Sequence, residues 1–285
     1  MLVNLKSLLA EADAAGRAVG SFNAYSRETA RGVLAAARRS GSPVALAFGA
    51  AYLRNLDFPE IAAEARREAE AADVRFALHL DHCSDAELVR RALDAGFTSI
   101  MYDGSALPFA ENAANTAAVV RLAEGYGASV EGELGSIGAG GGSAEGAGAG
   151  PEALTDPGQA AGFVDATGVD ALAVSIGTVH GFYKAAPRIR LDVLEAIRAA
   201  TPIPLVLHGG SGTPEPILLA CMERGIRKIN VNTELSRYTV AKLAEEIAAH
   251  PAIHLSELSL LQIEFFAEAV APFIELFSLR RGKGI

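Results

Sequence analysis

Short apolar runs of strand length alternate along the chain with longer stretches in which apolar residues recur at helical spacing. Eight such pairs occur, an alternation that is typical of parallel βα units. The strands are predicted at Val19–Asn23, Val44–Phe48, Phe76–Leu80, Ser99–Tyr102, Ser129–Glu133, Ala171–Ser175, Pro204–Leu207 and Lys228–Val231. The helices are predicted at Arg27–Arg39, Pro59–Ala72, Asp85–Ala95, Ala110–Tyr126, Pro157–Thr167, Leu191–Ala199, Glu215–Arg224 and Glu234–Ala248. Because eight units in about 250 residues match a TIM barrel, the pattern predicts an α/β fold with a single (β/α)8 barrel.

Two further helices are predicted outside the eight units. The N-terminal segment MLVNLKSLLAEADAAG carries Lys6, Glu11 and Asp13 among its apolar positions, which is typical of an amphipathic helix and not of a signal-peptide core. Residues 258–279 predict a C-terminal helical extension, kinked or divided at Pro272. We therefore expect one TIM barrel domain over residues 1–285, with an extra C-terminal helix.

One segment interrupts the alternation. Residues 135–150, GSIGAGGGSAEGAGAG, follow the fifth predicted strand and contain eight glycines in sixteen residues. So much glycine carries too much backbone entropy for a helix or a strand. A disordered surface insertion is one hypothesis. Because the loops after the strands build the active sites of such barrels, we favour a mobile loop that covers a substrate.

Composition narrows the classes of partner. The 25 basic and 34 acidic residues give a net charge of −9, which supplies no general attraction for nucleic acid or for an anionic membrane. Cys83 and Cys221 suggest neither a disulfide framework nor a Cys-rich zinc module and fit a reducing compartment, so we expect both to be packing residues. No stretch of about 18 residues is apolar and free of charge. We therefore expect a cytoplasmic protein with a small-molecule partner.

Three histidines fall at the ends of predicted strands. His82 stands in LHLDHC after strand three, His180 in GTVHG after strand six, and His208 in LVLHGG after strand seven. A single histidine of this kind is more often a core or loop residue than a ligand. Three at one end of a barrel match the three protein ligands of a catalytic Zn²⁺. His79 is predicted to share the inner side of strand three with Asp81 and to support a ligand or pack.

Asp81 has two interpretations. It could orient a neighbouring histidine, or it could be the general acid/base that exchanges a proton with a substrate oxygen beside the metal. Adjacent residues of an extended strand point to opposite sides, so Asp81 and His82 can both face the site only if the strand ends there. The following Ser84-Asp85 is typical of a helix start and favours such an end.

The turns that follow strands seven and eight contain residues that are typical of a phosphate site. Gly209-Gly210-Ser211-Gly212 follows strand seven, and Asn230-Val231-Asn232-Thr233-Glu234 leads from strand eight into a helix. Backbone N–H groups, small hydroxyls and a helix N-terminus frequently bind phosphate at these two loops of a barrel. An acidic chain can hold a phosphate in this way without a lysine cluster.

These motifs resemble those of one known family. The segments LHLDHC, MYDGS with LPFAEN, VEGELG, AVSIGTVHGFY, LVLHGGSG and KINVNTEL occur in the order seen in class II, metal-dependent ketose-bisphosphate aldolases, and most resemble the tagatose- and fructose-bisphosphate aldolase branch. The resemblance implies reversible retro-aldol cleavage of a ketose (bis)phosphate to dihydroxyacetone phosphate and an aldehyde, through an enediolate stabilised by zinc or another divalent metal. It also implies a homo-oligomer, either a dimer or a tetramer.

The resemblance implies a role for each matched residue. The zinc ligands that it implies are His82, His180 and His208. It implies that Asp81 moves the proton of the substrate hydroxyl, that Asn230 steadies the enediolate, and that Asp103 and Glu133 form a second metal position or orient histidines. Together with the loop pattern it implies that the phosphate is held by Gly181, Gly209, Gly210, Ser211, Asn232 and Thr233. The backbone of the first two would also contact a monovalent cation.

Two positions depart from the family pattern. Relatives carry an acidic pair soon after the ELG segment, where this chain has residues 140–142, all glycine. Glu145 is the only acid within residues 135–150, so we expect either that Glu145 handles the proton at carbon 3 or that this transfer is altered or lost. Gly49 stands where relatives offer a serine or threonine near the substrate carbonyl.

Other functions fit the sequence less well. A Schiff-base aldolase needs a lysine at the top of the barrel, whereas Lys228 begins strand eight at the wrong end and Lys184 lies in a loop. A metal-dependent amidohydrolase would carry His-x-His in strand one, which reads SFNAY. The remaining alternative is a barrel that binds metal and sugar phosphate but has lost turnover together with its loop acids.

Overall fold

The computed structural model describes residues 1–70, 74–142 and 153–279. Its strands in chain order are β1 (Val19–Asn23), β2 (Val44–Gly49), β3 (Phe76–Cys83), β4 (Ser99–Tyr102), β5 (Ser129–Leu134), β6 (Gly138–Ala139), β7 (Ala171–Val174), β8 (Val179–His180), β9 (Leu205–Leu207) and β10 (Ile226–Val231). Eight of them close into a parallel barrel in the order β1-β10-β9-β7-β5-β4-β3-β2. The predicted (β/α)8 barrel is therefore confirmed. The prediction of one domain over residues 1–285 reaches beyond the described residues and stays a prediction.

The helices follow the strands as the periodicity predicts. They are α1 (Leu5–Ala14), α2 (Arg27–Ser40), α3 (Phe58–Glu70), α4 (Ala86–Ala95), α5 (Phe109–Glu124), α6 (Pro157–Thr167), α7 (Leu191–Ala200), α8 (Glu215–Glu223), α9 (Thr233–Ala249) and α10 (Leu255–Phe277), with a 3₁₀ turn at Ala50–Tyr52. Local capping sets several starts: Ser26 forms a capping box with Thr29 before α2, and the Asp85 carboxylate accepts from the first N–H groups of α4. None of the described helices is long and apolar enough to cross a membrane.

The C-terminal helix α10 packs along α2 and α9. Gly32 of α2 permits this approach, because a side-chain carbon there would lie 2.8 Å from Cβ of Phe266. The predicted extra helix is confirmed, and it begins three residues earlier than expected. It runs without a break through Pro272, so the predicted division at that proline is wrong. The packing against α2 and α9 outweighs the backbone hydrogen bond that proline removes.

The inside of the barrel contains an apolar cluster built around α1. This α1 cluster consists of Leu5, Leu8, Leu9, Ala12, Val19, Ala45, Ala77, Met101, Ala171, Ala173 and Val206. Helix α1 covers the N-terminal end of the barrel, because the Leu5 N–H donates to Oγ of Ser129, the first residue of β5, and the Val3 N–H donates to the carbonyl oxygen of Phe76, the first residue of β3. Small alanines on the strands leave room for the leucines of the helix.

A second, two-stranded sheet lies in the loops of the barrel. Strand β6 pairs in parallel with β8, and the Gly140 N–H donates to the carbonyl oxygen of His180 at 2.6 Å. The expectation that residues 135–150 form no strand is therefore wrong at Gly138–Ala139. A side-chain carbon at Gly140 would lie 2.6 Å from the Phe182 carbonyl oxygen, so close backbone approach requires glycine there. Residues 143–150 lie outside the described residues, and the mobile loop stays a prediction for them.

Candidate metal centre

The backbone at the end of β3 turns Asp81 and His82 toward one site. The strand does not end at Asp81, as the sequence led us to expect, but continues to Cys83. Instead His82 adopts φ of 43°, and the register with β4 shifts between Leu80 and Cys83. This left-handed conformation costs about 1–3 kcal/mol for a residue with a side chain. The positive φ of His82, and not an end of the strand, therefore lets Asp81 and His82 face the same site.

The structure brings the three predicted histidine ligands together. The ring centroids of His82 lie 4.8 Å from those of His180 and 4.6 Å from those of His208, and the latter two are 5.8 Å apart. Their candidate ligand atoms all lie within 4.8 Å of one another, and Nε2 of His82 is 2.9 Å from Nδ1 of His208. Three imidazoles that aim nitrogen atoms at one point fit a catalytic Zn²⁺ or a similar divalent cation.

Carboxylates orient two of the three rings. Oδ2 of Asp103 lies 2.9 Å from Nδ1 of His82, and Oε1 of Glu131 lies 3.0 Å from Nε2 of His208. Each ring is thereby anchored through one nitrogen and presents the other to the centre, as in carboxylate-histidine-zinc arrangements. Glu131 was not among the predicted site residues.

The predicted second metal position is also assembled. His82, Asp103 and Glu133 offer ligand atoms within 4.8 Å of one another. Burial and the neighbouring Asp103 carboxylate raise the pKa of Glu133 well above its ordinary value. Its buried Oε2 has no hydrogen-bond partner among the described residues. A cation would satisfy this oxygen and relieve the repulsion between the two carboxylates.

Asp81 is completely buried and held by two amides. The Asn23 side-chain N–H donates to its Oδ2 at 2.9 Å, and the Asn230 side-chain N–H donates to its Oδ1 at 3.1 Å. Burial would raise the pKa of the Asp81 carboxyl, but the positive charges of His82 and Lys228 lower it by more, so the net pKa lies below its ordinary value. Asp81 is therefore ionised and can accept a proton. Asn23 was not predicted to contribute.

The first turn of α9 lies among the residues predicted to bind phosphate. The Ser211 hydroxyl oxygen accepts hydrogen bonds from the backbone N–H groups of Asn232 and Glu234, both at 3.2 Å. Ser211 therefore caps the helix that begins at Thr233, and this end carries partial positive charge. The environment suits an anion.

Close backbone approaches bring the neighbouring loops to the same place. Gly209 has φ of 74°, and a side-chain carbon there would lie 2.3 Å from the Val179 carbonyl oxygen. Gly181 also has a positive φ, of 91°. The Gly210 N–H donates to the Asn230 carbonyl oxygen at 2.9 Å, so this amide is already used within the fold. The loops after β8, β9 and β10 therefore meet beside the histidines.

Lys228 occupies a different place from the one expected. Strand β10 begins at Ile226, two residues before the predicted start, so Lys228 lies within the strand and is fully buried inside the barrel. Its Nζ lies 2.8 Å from Oε2 of Glu131 and 3.3 Å from Nε2 of His79. The expectation that Lys228 begins the strand is wrong, although in register it still lies level with Val19, the first residue of β1. The ammonium pairs with a carboxylate and is not a free amine for Schiff-base chemistry.

His79 supports this arrangement as a neutral ring. Burial and the charge of Lys228 lower the pKa of His79 to about 3. Its Nδ1 lies 2.8 Å from Oγ of Ser99. Nδ2 of Asn230 lies 3.3 Å from Nδ1 of His208. Together with the contacts described above, this contact completes a polar network, which consists of Asn23, His79, Asp81, Ser99, Glu131, His208, Lys228 and Asn230.

A periodic signal could have revealed the residues that sequence reasoning missed. Polar residues stand two apart in strands that are otherwise apolar, at Ser21 and Asn23 and again at Glu131 and Glu133. Residues two apart share one face of a strand, so in a closed barrel such pairs line the interior. Lys228 and Asn230 repeat the pattern in β10. Glu145, the predicted loop acid, lies outside the described residues.

Known proteins resemble the chain in both sequence and fold. The family model described as fructose-bisphosphate aldolase class-II matches residues 3–279. A Bacillus subtilis (strain 168) protein named "Probable fructose-bisphosphate aldolase" is 40% identical over 253 residues, covering 88% of this chain and 88% of its own. The crystal structure of the YdjI aldolase from Escherichia coli K12 superposes with a TM-score of 0.86 at 32% identity, covering 97% of each chain. The fructose-bisphosphate aldolase of Campylobacter jejuni, at 20% identity and a TM-score of 0.82 over 97% of this chain and 95% of that one, shows the fold alone.

Proposed function

The chain belongs to the class-II fructose-bisphosphate aldolase family, whose members are metal-dependent aldolases, and we propose how its own residues perform that reaction. The substrate is a ketose (bis)phosphate, and the products are dihydroxyacetone phosphate and an aldehyde. One observation carries the proposal: three histidines face one another beside an ionised aspartate whose two oxygens are both held by amides.

His82, His180 and His208 are the residues that would hold the catalytic cation, for which we propose Zn²⁺. Asp103 and Glu133, together with His82, would form a second cation position. A divalent cation held by the three histidines would supply Lewis-acid chemistry, offsetting the negative charge that develops as the carbon–carbon bond breaks.

Asp81 serves as the base in the cleavage direction. It takes the proton of the C4 hydroxyl as the bond between C3 and C4 breaks, and it returns that proton to the aldehyde oxygen in condensation. Asn23 and Asn230 fix its carboxylate, because each donates to a different oxygen. Asn230 also steadies the enediolate, and its buried Oδ1 has no hydrogen-bond partner among the described residues.

The substrate phosphate binds at the first turn of α9. Asn232, Thr233 and Ser211 supply polar groups there, and Gly181 and Gly209 let the backbone approach. Gly210 contributes through its neighbours, because its own N–H is engaged. The backbone of Gly181 and Gly209 would also contact a monovalent cation beside the phosphate.

Glu145 manages the proton at carbon 3. It is the only acid in the glycine-rich segment that follows β5. Glu145→Gln is expected to slow exchange of the carbon 3 proton of dihydroxyacetone phosphate with solvent, because the amide cannot accept that proton. Deuterium exchange followed by NMR measures the rate. An exchange rate equal to that of the wild type would assign the step to another base.

The active assembly is a homodimer or homotetramer. Several large apolar side chains are exposed on α9 and α10, among them Val240, Ile247, Leu255 and Leu260. Burial of such side chains between copies would remove apolar surface from water. Light scattering coupled to size exclusion reports the mass directly, and a monomer at assay concentration would contradict this part of the proposal.

A cleavage screen tests the function as a whole. The zinc-supplemented enzyme is assayed against fructose-, tagatose- and deoxy-ketose phosphates, with product detected as dihydroxyacetone phosphate. We expect cleavage of at least one of them, loss of activity after chelation, and recovery when Zn²⁺ is restored. Full activity in a metal-free preparation would overturn the metal assignment. Absence of product from every substrate would overturn the proposed reaction.

A further inference from the structure

We infer that Lys228 and Glu131 act as a positioning pair that selects which ring nitrogen of His208 faces the metal centre. The inference rests on the proposed function only in taking His208 as a metal ligand. Glu131 contacts His208 directly and Lys228 contacts Glu131, so we place the action of both on His208.

The geometry links the three residues in one line. Nζ of Lys228 lies 2.8 Å from Oε2 of Glu131, and Oε1 of the same carboxylate lies 3.0 Å from Nε2 of His208. All three side chains are buried. One carboxylate oxygen is within hydrogen-bond distance of His208, and the other forms an ion pair with Lys228, so Glu131 is held from two sides. An ionised carboxylate only accepts hydrogen bonds, so His208 must donate through Nε2 and keep Nδ1 without a proton.

The bare nitrogen points toward the other ligands. Nδ1 of His208 lies 2.9 Å from Nε2 of His82, whose own Nδ1 is anchored by Asp103. The two rings therefore face the metal centre through different nitrogens, His208 through Nδ1 and His82 through Nε2. Nδ2 of Asn230, which donates to Asp81, also lies 3.3 Å from this Nδ1 of His208. Without Glu131, Nε2 of His208 would lose its acceptor, and the tautomer with its proton on Nδ1 would block the site.

Lys228 has a separate task. A carboxylate taken out of water carries a large desolvation penalty, and a neighbouring ammonium offsets it. Lys228 supplies that charge from β10, three strands away from β5 around the barrel, and Nε2 of His79 lies 3.3 Å from the ammonium. Lysine thus compensates the buried charge of Glu131 and holds the carboxylate in one orientation.

An ion pair outside the barrel, with a buried carboxylate and an exposed guanidinium, provides a control. Arg38 of α2 lies 2.6 Å from the buried carboxylate of Glu68 on α3, outside the barrel. Glu68→Gln, like Glu131→Gln, removes a buried carboxylate that is paired with a cation. Only the pair inside the barrel contacts a metal ligand.

The test measures Zn²⁺ affinity by competition with a chromophoric chelator, together with the visible absorption of the Co²⁺-loaded protein. Glu131→Gln and Lys228→Met are each expected to weaken Zn²⁺ binding by about 10–100-fold and to change the Co²⁺ spectrum. In the double variant the loss should not exceed that of Glu131→Gln, because Lys228 acts through Glu131. Glu68→Gln should leave both measurements as in the wild type.

Two results would overturn the pair. Unchanged Zn²⁺ affinity and Co²⁺ absorption in folded Glu131→Gln would remove Glu131, and additive losses in the double variant would show that Lys228 acts independently. If a barrel variant does not fold, ¹⁵N NMR of the zinc-loaded wild type decides: we expect a proton on Nε2 of His208 and metal on Nδ1, and the reverse would refute the inference. Metal binding requires no turnover, so failure of the cleavage screen leaves this test intact.

Discussion

The inside of the barrel holds two groups of residues that differ in chemistry although the same strands build both. Strand β1 begins with Val19 in the α1 cluster and ends with Asn23 in the polar network. Strand β3 likewise passes from Ala77 to Asp81. The alternation of the strand selects which residues face inward, and the position along the strand decides whether they are apolar or charged.

The two groups contribute differently to folding. Full burial of a leucine contributes about 1.5–3 kcal/mol, and α1 places three buried leucines inside the barrel. Buried charges return little net stability even when they are paired. The α1 cluster therefore stabilises the fold, whereas the polar network adds little net stability and serves the chemistry of the site. Substitutions in the two groups should separate stability from catalysis.

The largest expected effect is on catalysis. Asp81→Ala should reduce cleavage by about 10²–10⁴-fold, because it removes the proton acceptor, while Zn²⁺ and dihydroxyacetone phosphate still bind. Steady-state kinetics and calorimetric titration measure the two quantities. Asp85→Ala is the control, since this aspartate caps α4 and should cost stability without reducing turnover. Unchanged turnover in Asp81→Ala would remove this residue from the mechanism.

The next effect is on stability. Leu8→Ala should lower the free energy of unfolding by about 2–5 kcal/mol, because it leaves a cavity between α1 and the barrel strands. Zn²⁺ affinity and turnover of the folded protein should stay at wild-type values. Leu279→Ala serves as the control, since Leu279 is 50% exposed and its loss should change stability little. A catalytic defect equal to that of Asp81→Ala would show that the two groups are not separable.

Some parts of the fold and of the site could be predicted from the sequence alone, and others could not. Periodicity placed β1, β4 and α6 to the residue, and strand-end motifs placed all three histidines, because both signals are local. The ion pair between Glu131 and Lys228 and the pairing of β6 with β8 join segments that are distant along the chain, and no local pattern encodes such partners. The left-handed backbone of His82 was missed for a related reason: the tertiary structure imposes it on a residue with no local preference for it.

The smallest expected effect tests whether the polar network behaves as one unit. Ser99→Ala removes the hydrogen bond between Ser99 and His79 and should lower the free energy of unfolding by about 1 kcal/mol. Ser129→Ala is the matched control at the α1 end, because Ser129 pairs with Ser99 in register and its hydroxyl accepts from the Leu5 N–H. We expect similar stability losses and wild-type Zn²⁺ affinity in both variants, measured by denaturant unfolding and chelator competition, because neither touches the contact between Glu131 and His208. If Ser99→Ala alone weakened Zn²⁺ binding, the displacement of His79 would be reaching the centre through Lys228, and the network would have to be treated as a single cooperative element instead of a set of separate contacts.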